Sequence, residues 1–184
     1  MPGSSYRSLQ DLAADQHGYF TTAQARDWGV STMALVMMAR RNSAERVSHG
    51  VYRLVHYPSS PLGSYMEAAL WPGRVRGVVS HESVLALHEV SDVSPAAVHI
   101  TVPRRFRTHR RVPGRLVLHR TDLDAADLDT FEGIPVTTLE RAIRDCSAAH
   151  LGPELVRQAI DEARRKGLLA EPAAGRLSAE LLAE

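Results

Sequence analysis

Thr21-Thr22-Ala23-Gln24-Ala25-Arg26-Asp27-Trp28-Gly29-Val30-Ser31-Thr32-Met33-Ala34-Leu35-Val36-Met37-Met38 is the stretch on which the reading of the fold turns. Thr21 with Gln24 three residues on is a capping-box pattern, in which each side chain satisfies a backbone N–H at a helix start. Phe20 just before it can staple onto Ala25. Gly29 accepts the left-handed backbone that closes a helix, and Ser31 is a cap for the next one, running to about Arg41. Ala25 is small where two helices would cross, and Val30 tucks under the turn. Leu35 and Met38 supply an inner face at i, i+3 spacing. These features together describe a helix-turn-helix. Glu45–Val47 and Val51–Val55 then alternate like two short strands around Ser48-His49-Gly50, in the place of a wing. The bland alternative is a generic helical hairpin, because Ala-x-x-x-Gly by itself is common.

Working outward, Leu9, Leu12 and Ala13 make one more helical stripe before the motif. After it, His56-Tyr57-Pro58-Ser59-Ser60-Pro61-Leu62-Gly63-Ser64 breaks helix and ladder alike, and the domain seam is expected there. The remainder mixes helix and strand. Helices are expected over 65–70, 81–88, 139–149 and 153–166, with a weaker one near 177–182; strands over 77–80, 98–102 and 116–118. Strands over 128–131 and 134–137 flank Glu132-Gly133 as a hairpin. Thr137-Thr138 ahead of Glu140 reads as a helix start with an acid in its first turn.

Composition narrows the classes. The 184 residues suit one compact domain or two small ones, and 44% of them are apolar, enough for a core. A net charge of +1 means that nucleic-acid binding must rest on local clusters. All 22 basic residues but Lys166 are arginine, a bias better read as a GC-rich genome than as a site. The single Cys146 excludes an internal disulfide or a thiolate metal cage and suits a reducing cytoplasm. Met1–Gln10 holds no apolar signal core, and no run approaches the roughly 18 apolar residues of a membrane span. A cytoplasmic protein without membrane attachment is expected.

If the motif docks on duplex DNA, geometry selects its contacts. A recognition helix enters the major groove by its first turns, which presents Thr32, Met33, Val36 and Met37 outward. Its backbone start at Ser31 and Thr32 can approach a phosphate, as Thr21 and Thr22 can from the helix before. Arg40, Arg41 and Arg46 are expected at the backbone, and His49 and Arg53 near an adjacent groove. Met33, Val36 and Met37 are apolar where base-reading helices carry hydrogen-bonding groups. They suit thymine methyls or a protein interface equally well. Modest affinity per monomer favours a homodimer on paired sites.

Several segments also resemble a known family. Gly18-Tyr19-Phe20-Thr21-Thr22-Ala23-Gln24-Ala25, Gly29-Val30-Ser31 and Glu45-Arg46-Val47-Ser48-His49-Gly50-Val51-Tyr52-Arg53-Leu54 resemble AbiEi-type antitoxins of type IV toxin–antitoxin systems. Val79-Ser80-His81-Glu82-Ser83-Val84-Leu85-Ala86-Leu87-His88, His99-Ile100-Thr101-Val102-Pro103 and Gly133–Asp145 extend the likeness. The resemblance implies an α+β chain: an N-terminal winged helix-turn-helix DNA-binding domain over 1–57, a linker over 58–64, and a mixed α/β antitoxin-type domain over 65–184. It implies repression of the chain's own operon through duplex operator DNA and opposition, direct or indirect, to a cognate nucleotidyltransferase-type toxin. It implies no catalysis. The sequence departs from the family where Thr32, Met33, Val36 and Met37 stand in place of several arginines. The alternative function is a stand-alone winged-helix regulator or a protein-interaction module without a toxin partner.

Other constellations carry less. Arg104-Arg105-Phe106-Arg107-Thr108-His109-Arg110-Arg111 is the densest charge run. It fits a solvated loop, an auxiliary phosphate contact through Arg104, Arg105, Arg107, Arg110 and Arg111 with Phe106 stacking on a base, or an acidic toxin face. Arg141, Arg144, Arg157, Arg164 and Arg165 are toxin-facing or merely solvated. His81 and His88 invite a metal, but a zincin needs a second histidine where Leu85 stands, so no metal and no cofactor is expected. The aspartates at 122, 124, 127 and 129 lack the glycine and closing glutamate of a calcium loop. No nucleophile elbow, Walker loop or dinucleotide fingerprint occurs, so no catalytic residue is assigned. Cys146 is expected in the core.

Overall fold

The computed structural model describes residues 4–183; residues 1–3 and 184, at the ends of the expected domain ranges, lie outside the described residues. The chain is α+β and forms two compact units, one of Met1–Gly77 with Glu132–Ile134, the other of Val78–Phe131 and Pro135–Glu184.

The first unit runs α1 (Ser4–Ala14), β1 (Tyr19–Thr21), α2 (Thr22–Asp27), α3 (Thr32–Arg40), β2 (Ala44–Ser48), β3 (Val51–Leu54), α4 (Gly63–Leu70). The capping box forms at α2: Gln24 N–H donates to Thr21 Oγ1 at 3.1 Å and Thr21 N–H to Gln24 Oε1 at 2.8 Å. Gly29, with φ of 78°, turns the chain out of α2, and Ser31 Oγ accepts the Ala34 N–H at 3.1 Å to start α3. The three strands form an antiparallel sheet in the order β1-β3-β2. Phe20 and Tyr52 are partners across it, their rings stacked with centroids 5.9 Å apart. Leu9, Ala13, Phe20, Ala25, Val30, Leu35, Ala44, Tyr52 and Leu54 make one core cluster. Leu35 is the buried anchor of α3, and truncating such a side chain costs about 2–5 kcal/mol.

The units divide after Gly77, not in the proline-rich stretch at 58–64 expected as a linker. Prolines there do break helix and ladder, yet the backbone is packed. A Cβ on Gly63 would meet the Tyr19 hydroxyl at 2.9 Å, so the start of α4 lies directly against the tip of the Tyr19 side chain. Tyr57 Oη donates to Ala14 O at 2.9 Å, fastening the same stretch to α1.

The rest of the chain runs β4 (Val78–Val79), α5 (Glu82–Leu87), β5 (Val98–Val102), β6 (Leu116–Arg120), a short 3-10 turn (Ala125–Asp127), β7 (Leu128–Phe131), β8 (Ile134–Thr137), α6 (Leu139–Ala148), α7 (Pro153–Arg165) and α8 (Glu171–Leu181). Its sheet has the order β6-β5-β4-β8-β7. β5 and β6 are parallel neighbours. Such a pair needs a crossover of about a dozen or more residues, and residues 103–115, which include the basic run, supply it. On α7, Val156, Ala159, Ile160 and Ala163 are buried, the i, i+3, i+4, i+7 stripe of an amphipathic helix. α8 begins at Glu171, earlier than the helix expected near 177–182. Pro172 in its first turn starts this helix, because its missing N–H is an orphan there anyway. Among the described residues, no helix is long and apolar enough to cross a membrane.

Candidate functional site

α3 stands on the core by one face only. Leu35 is buried, and Ala34 and Met38 pack partly against the cluster. Ser31, Thr32, Met33, Val36, Met37, Arg40 and Arg41 all lie open to solvent. Met33 is 69% exposed, Val36 38% and Met37 37%, with Trp28 beside the turn at 50%: an apolar surface on the outside of a capped helix. Arg46 and His49 are also exposed, and they are joined by a 3.0 Å contact between Arg46 Nη2 and His49 Nδ1 at the β2–β3 turn. The hairpin follows α3 closely through Ser43 N–H, which donates to Met38 O at 2.9 Å.

Two expected contact residues are withdrawn from this surface. Thr21 is buried, so a phosphate cannot reach its hydroxyl, which instead accepts the Gln24 N–H. Arg53 donates to Tyr57 O at 2.8 Å, pairs with Glu45 at 3.5 Å and lies over the Tyr19 ring. It holds the sheet to the following chain and does not reach outward. Thr22 is half-buried, with Thr22 Oγ1 donating to Gly50 O at 3.4 Å, which places it at the β2–β3 turn.

The basic crossover is exposed along most of its arginines but anchored at one residue. Phe106 is buried, so it anchors the segment and cannot stack on a base. Arg107 Nη1 donates to the carbonyls of Arg104 and Phe106, and Arg104 N–H donates to Asp122 Oδ1 at 3.1 Å. Arg104, Arg105, Arg107 and Arg111 remain exposed, while Arg110 is half-buried. The five arginines expected to face a toxin or solvent on α6 and α7 have carboxylate partners. Arg141 holds Asp127 at 2.6 Å and Asp145 at 2.9 Å; Arg144 holds Glu140 at 2.8 Å and Glu180 at 3.1 Å. Arg157 pairs with Glu154, Arg164 with Glu171, and Arg165 with Glu162. Cys146 lies in the core, and burial pushes its thiol up to about 12, where it is neither nucleophile nor ligand.

A second cluster has no counterpart in the sequence reading. His81, His99 and His119 each offer a ring nitrogen, and these atoms lie within 4.8 Å of one another. Register explains the meeting. Period-two alternation puts His99 and Thr101 on one face of β5, and Thr101 is opposite His119 on β6. His81, immediately before α5, completes the group with φ of 55°, a strained backbone for a side chain with a Cβ. His81 stacks on His119 with centroids 3.5 Å apart, and His99 Nδ1 is 3.3 Å from His119 Nε2. Ser80 Oγ lies 2.9 Å from His81 Nδ1 and accepts from Thr101 Oγ1 at 2.8 Å. Burial first, and the neighbouring imidazoles second, hold His81 down at about 3 and His119 at about 4; burial also lowers His99, against Glu82, which raises it. All three rings are therefore neutral at pH 7. His88, the partner weighed for His81, packs edge-on against Phe131 instead.

The comparisons with known proteins bear on the fold and on the first unit. No curated protein matches the chain. The crystal structure of the RV2827C protein from Mycobacterium tuberculosis superposes at a TM-score of 0.52 with 16% identity, over 96% of this chain and 71% of that one. That likeness is one of fold. Residues 7–55, which run from α1 through the paired helices to the end of the hairpin, match the family model of the AbiEi antitoxin transcriptional regulators.

Proposed function

We propose that the first unit is a winged helix-turn-helix that binds duplex operator DNA, and that the chain is an antitoxin repressing its own toxin–antitoxin operon. The observation that carries this is α3: a helix capped by Ser31, anchored through Leu35 and open along Thr32, Met33, Val36 and Met37, within a segment matched to antitoxin regulators. In this reading α3 enters the major groove by its first turns, Arg40, Arg41 and Arg46 meet phosphates, and His49 at the wing tip reaches an adjacent groove. Thr32 supplies the hydrogen-bonding side chain, and the methionines and Val36 contact thymine methyls. Arg104, Arg105 and Arg111 add auxiliary phosphate or partner contacts. The remaining chain opposes a nucleotidyltransferase-type toxin, and the protein acts in the cytoplasm without catalysis of its own.

The test is binding of purified protein to the DNA upstream of its own gene across a salt series. Affinity is expected to fall with slope near −0.9 per phosphate contacted on a log–log plot; a flat response counts against the reading. Thr32→Ala should change preference at one base position, and an equal loss on every sequence removes it from base reading. Co-expression with the neighbouring toxin then tests neutralisation, and co-purification separates direct from indirect opposition.

The exposed apolar group Trp28, Met33, Val36 and Met37 favours a second reading, in which this surface joins two protein chains and reads no DNA. A dimer that Met37→Arg dissociates, with no duplex binding in a gel shift, would select it.

A further inference from the structure

We propose that His81, His99 and His119 form a three-histidine site for a divalent transition-metal ion of the zinc class, with the fourth position left to solvent. The donor set suits such an ion, since imidazole nitrogens bind zinc, copper and nickel while carboxylate and carbonyl oxygens suit calcium and magnesium.

The spacing fits. Zn–N bonds of about 2.0–2.1 Å in a tetrahedron set neighbouring nitrogens about 3.4 Å apart, and His99 Nδ1 and His119 Nε2 are 3.3 Å apart. In the metal-free chain that pair can share a proton as an N–H···N bond. Ligation through the same two atoms needs His99 as its Nε2–H and His119 as its Nδ1–H tautomer, so whichever ring holds the shared proton carries it on its other nitrogen and none is lost. His81 and His119 are stacked in nearly parallel planes, 13° apart. Their lone pairs converge on one ion only when a ring tilts out of the stack.

The surroundings support His81 as a ligand. Ser80 Oγ lies 2.9 Å from His81 Nδ1; in the tautomer where it accepts the Nδ1–H of His81, Nε2 is left as the donor atom, the usual outer-shell arrangement for a ligating histidine. Thr101 steadies Ser80 in turn. Glu82 adds a carboxylate field near His99, whereas the charge of Arg141 near His81 is met by Asp127 and Asp145. The ion would tie together the start of α5, β5 and β6, three places far apart in sequence.

The experiment uses the full chain, stripped with a chelator and titrated with zinc against a chromophoric competitor, with cobalt as the spectroscopic probe. One equivalent per chain and a visible cobalt band are expected. His99→Gln and His119→Gln should each lower affinity more than about 100-fold, beyond the 10–100-fold typical of an outer-shell partner. His56→Gln, on the exposed surface of the other unit, should bind like the parent. Absence of stoichiometric binding by the parent, or unchanged affinity in both cluster variants, overturns the site. Should the variants misfold, imidazole 15N resonances of the parent decide: of the nine histidines, the three in the cluster should shift on zinc addition, and a different set or none overturns the proposal. None of these readouts involves DNA, so this result and that of the operator assay stand apart.

Discussion

Arg40 and Arg41 close α3 without a side-chain ion pair to another described residue, whereas Arg141 and Arg144 on α6 are each held by two carboxylates. The same side chain does two different jobs. On α6 it neutralises acids of its own fold. At the end of α3 it is left to solvent. Counting arginines along the sequence cannot separate these cases; counting unpaired ones can, because a paired guanidinium has little field left for a polyanion. The histidines take the contrast further. His49 sits on the exposed hairpin turn, while His81 and His119 are drawn into a neutral, partly buried cluster.

The largest expected effect is that acid unfolds the second unit ahead of the first. A free histidine titrates near pH 6.5, but His81 is held at about 3 and His119 at about 4. Below pH 6.5 the unfolded chain takes up protons that the folded chain refuses. Their contribution to stability is thus complete above pH 6.5 and is lost as pH falls towards 4. The slope is at most about 1.4 kcal/mol per pH unit for each proton. Both tryptophans, Trp28 and Trp71, belong to the first unit, and Trp71 is buried. In urea at pH 5, far-ultraviolet circular dichroism should therefore begin its transition before tryptophan emission shifts. Coincident curves, unmoved from pH 7, would erase the contrast between the units.

A smaller effect comes from the arginines themselves. Arg141→Ala leaves Asp127 and Asp145 partly buried without their cation, and burial already pushes the Asp145 carboxyl up. Fully buried pairs broken on one side cost about 3–5 kcal/mol; with each of these side chains about one-fifth exposed, about 2 kcal/mol is expected after solvent screening. Arg40→Ala should stay within about 0.5 kcal/mol, as for a surface position away from such features. Urea midpoints at pH 7 compare the two variants. Equal losses would mean that Arg40 has a structural partner after all.

What the sequence made legible follows the same divide between local and distant. Thr21 with Gln24, Gly29, and Ser31 with Ala34 act within three or four residues, so their geometry can be read from spacing alone. The β7–β8 turn is legible for the same reason, since Glu132 and Gly133 both take the positive φ of a two-residue hairpin. β1 was missed because three residues carry too little alternation to register; its pairing with β3 is set by a core to which Phe20 and Tyr52 both belong. The three-histidine cluster was missed because nothing local links positions 81, 99 and 119. Its one visible trace is that His99 and His119 each sit mid-strand where an apolar residue would be ordinary, and only the parallel register of β5 on β6 makes neighbours of them. Exposure could not be read either: Thr21 and Arg53 had suitable chemistry for a phosphate, but both were already engaged within the fold.

The smallest effect bears most directly on the comparison, because it measures charge available to an outside partner and leaves stability aside. If Arg40 and Arg41 each meet one phosphate, Arg40→Ala or Arg41→Ala should flatten the salt dependence of operator binding by about 0.9 in log–log slope, equally on specific and random duplexes. Arg144→Ala should leave that slope unchanged, since its charge is answered by Glu140 and Glu180. Fluorescence anisotropy over a salt series, at protein concentrations confirmed by circular dichroism to be folded, reads both. A slope that drops equally for Arg144→Ala would show that pairing in the isolated chain does not predict which arginines meet the partner. An unchanged slope for Arg40→Ala and Arg41→Ala would leave α3 as an apolar docking surface flanked by idle charge.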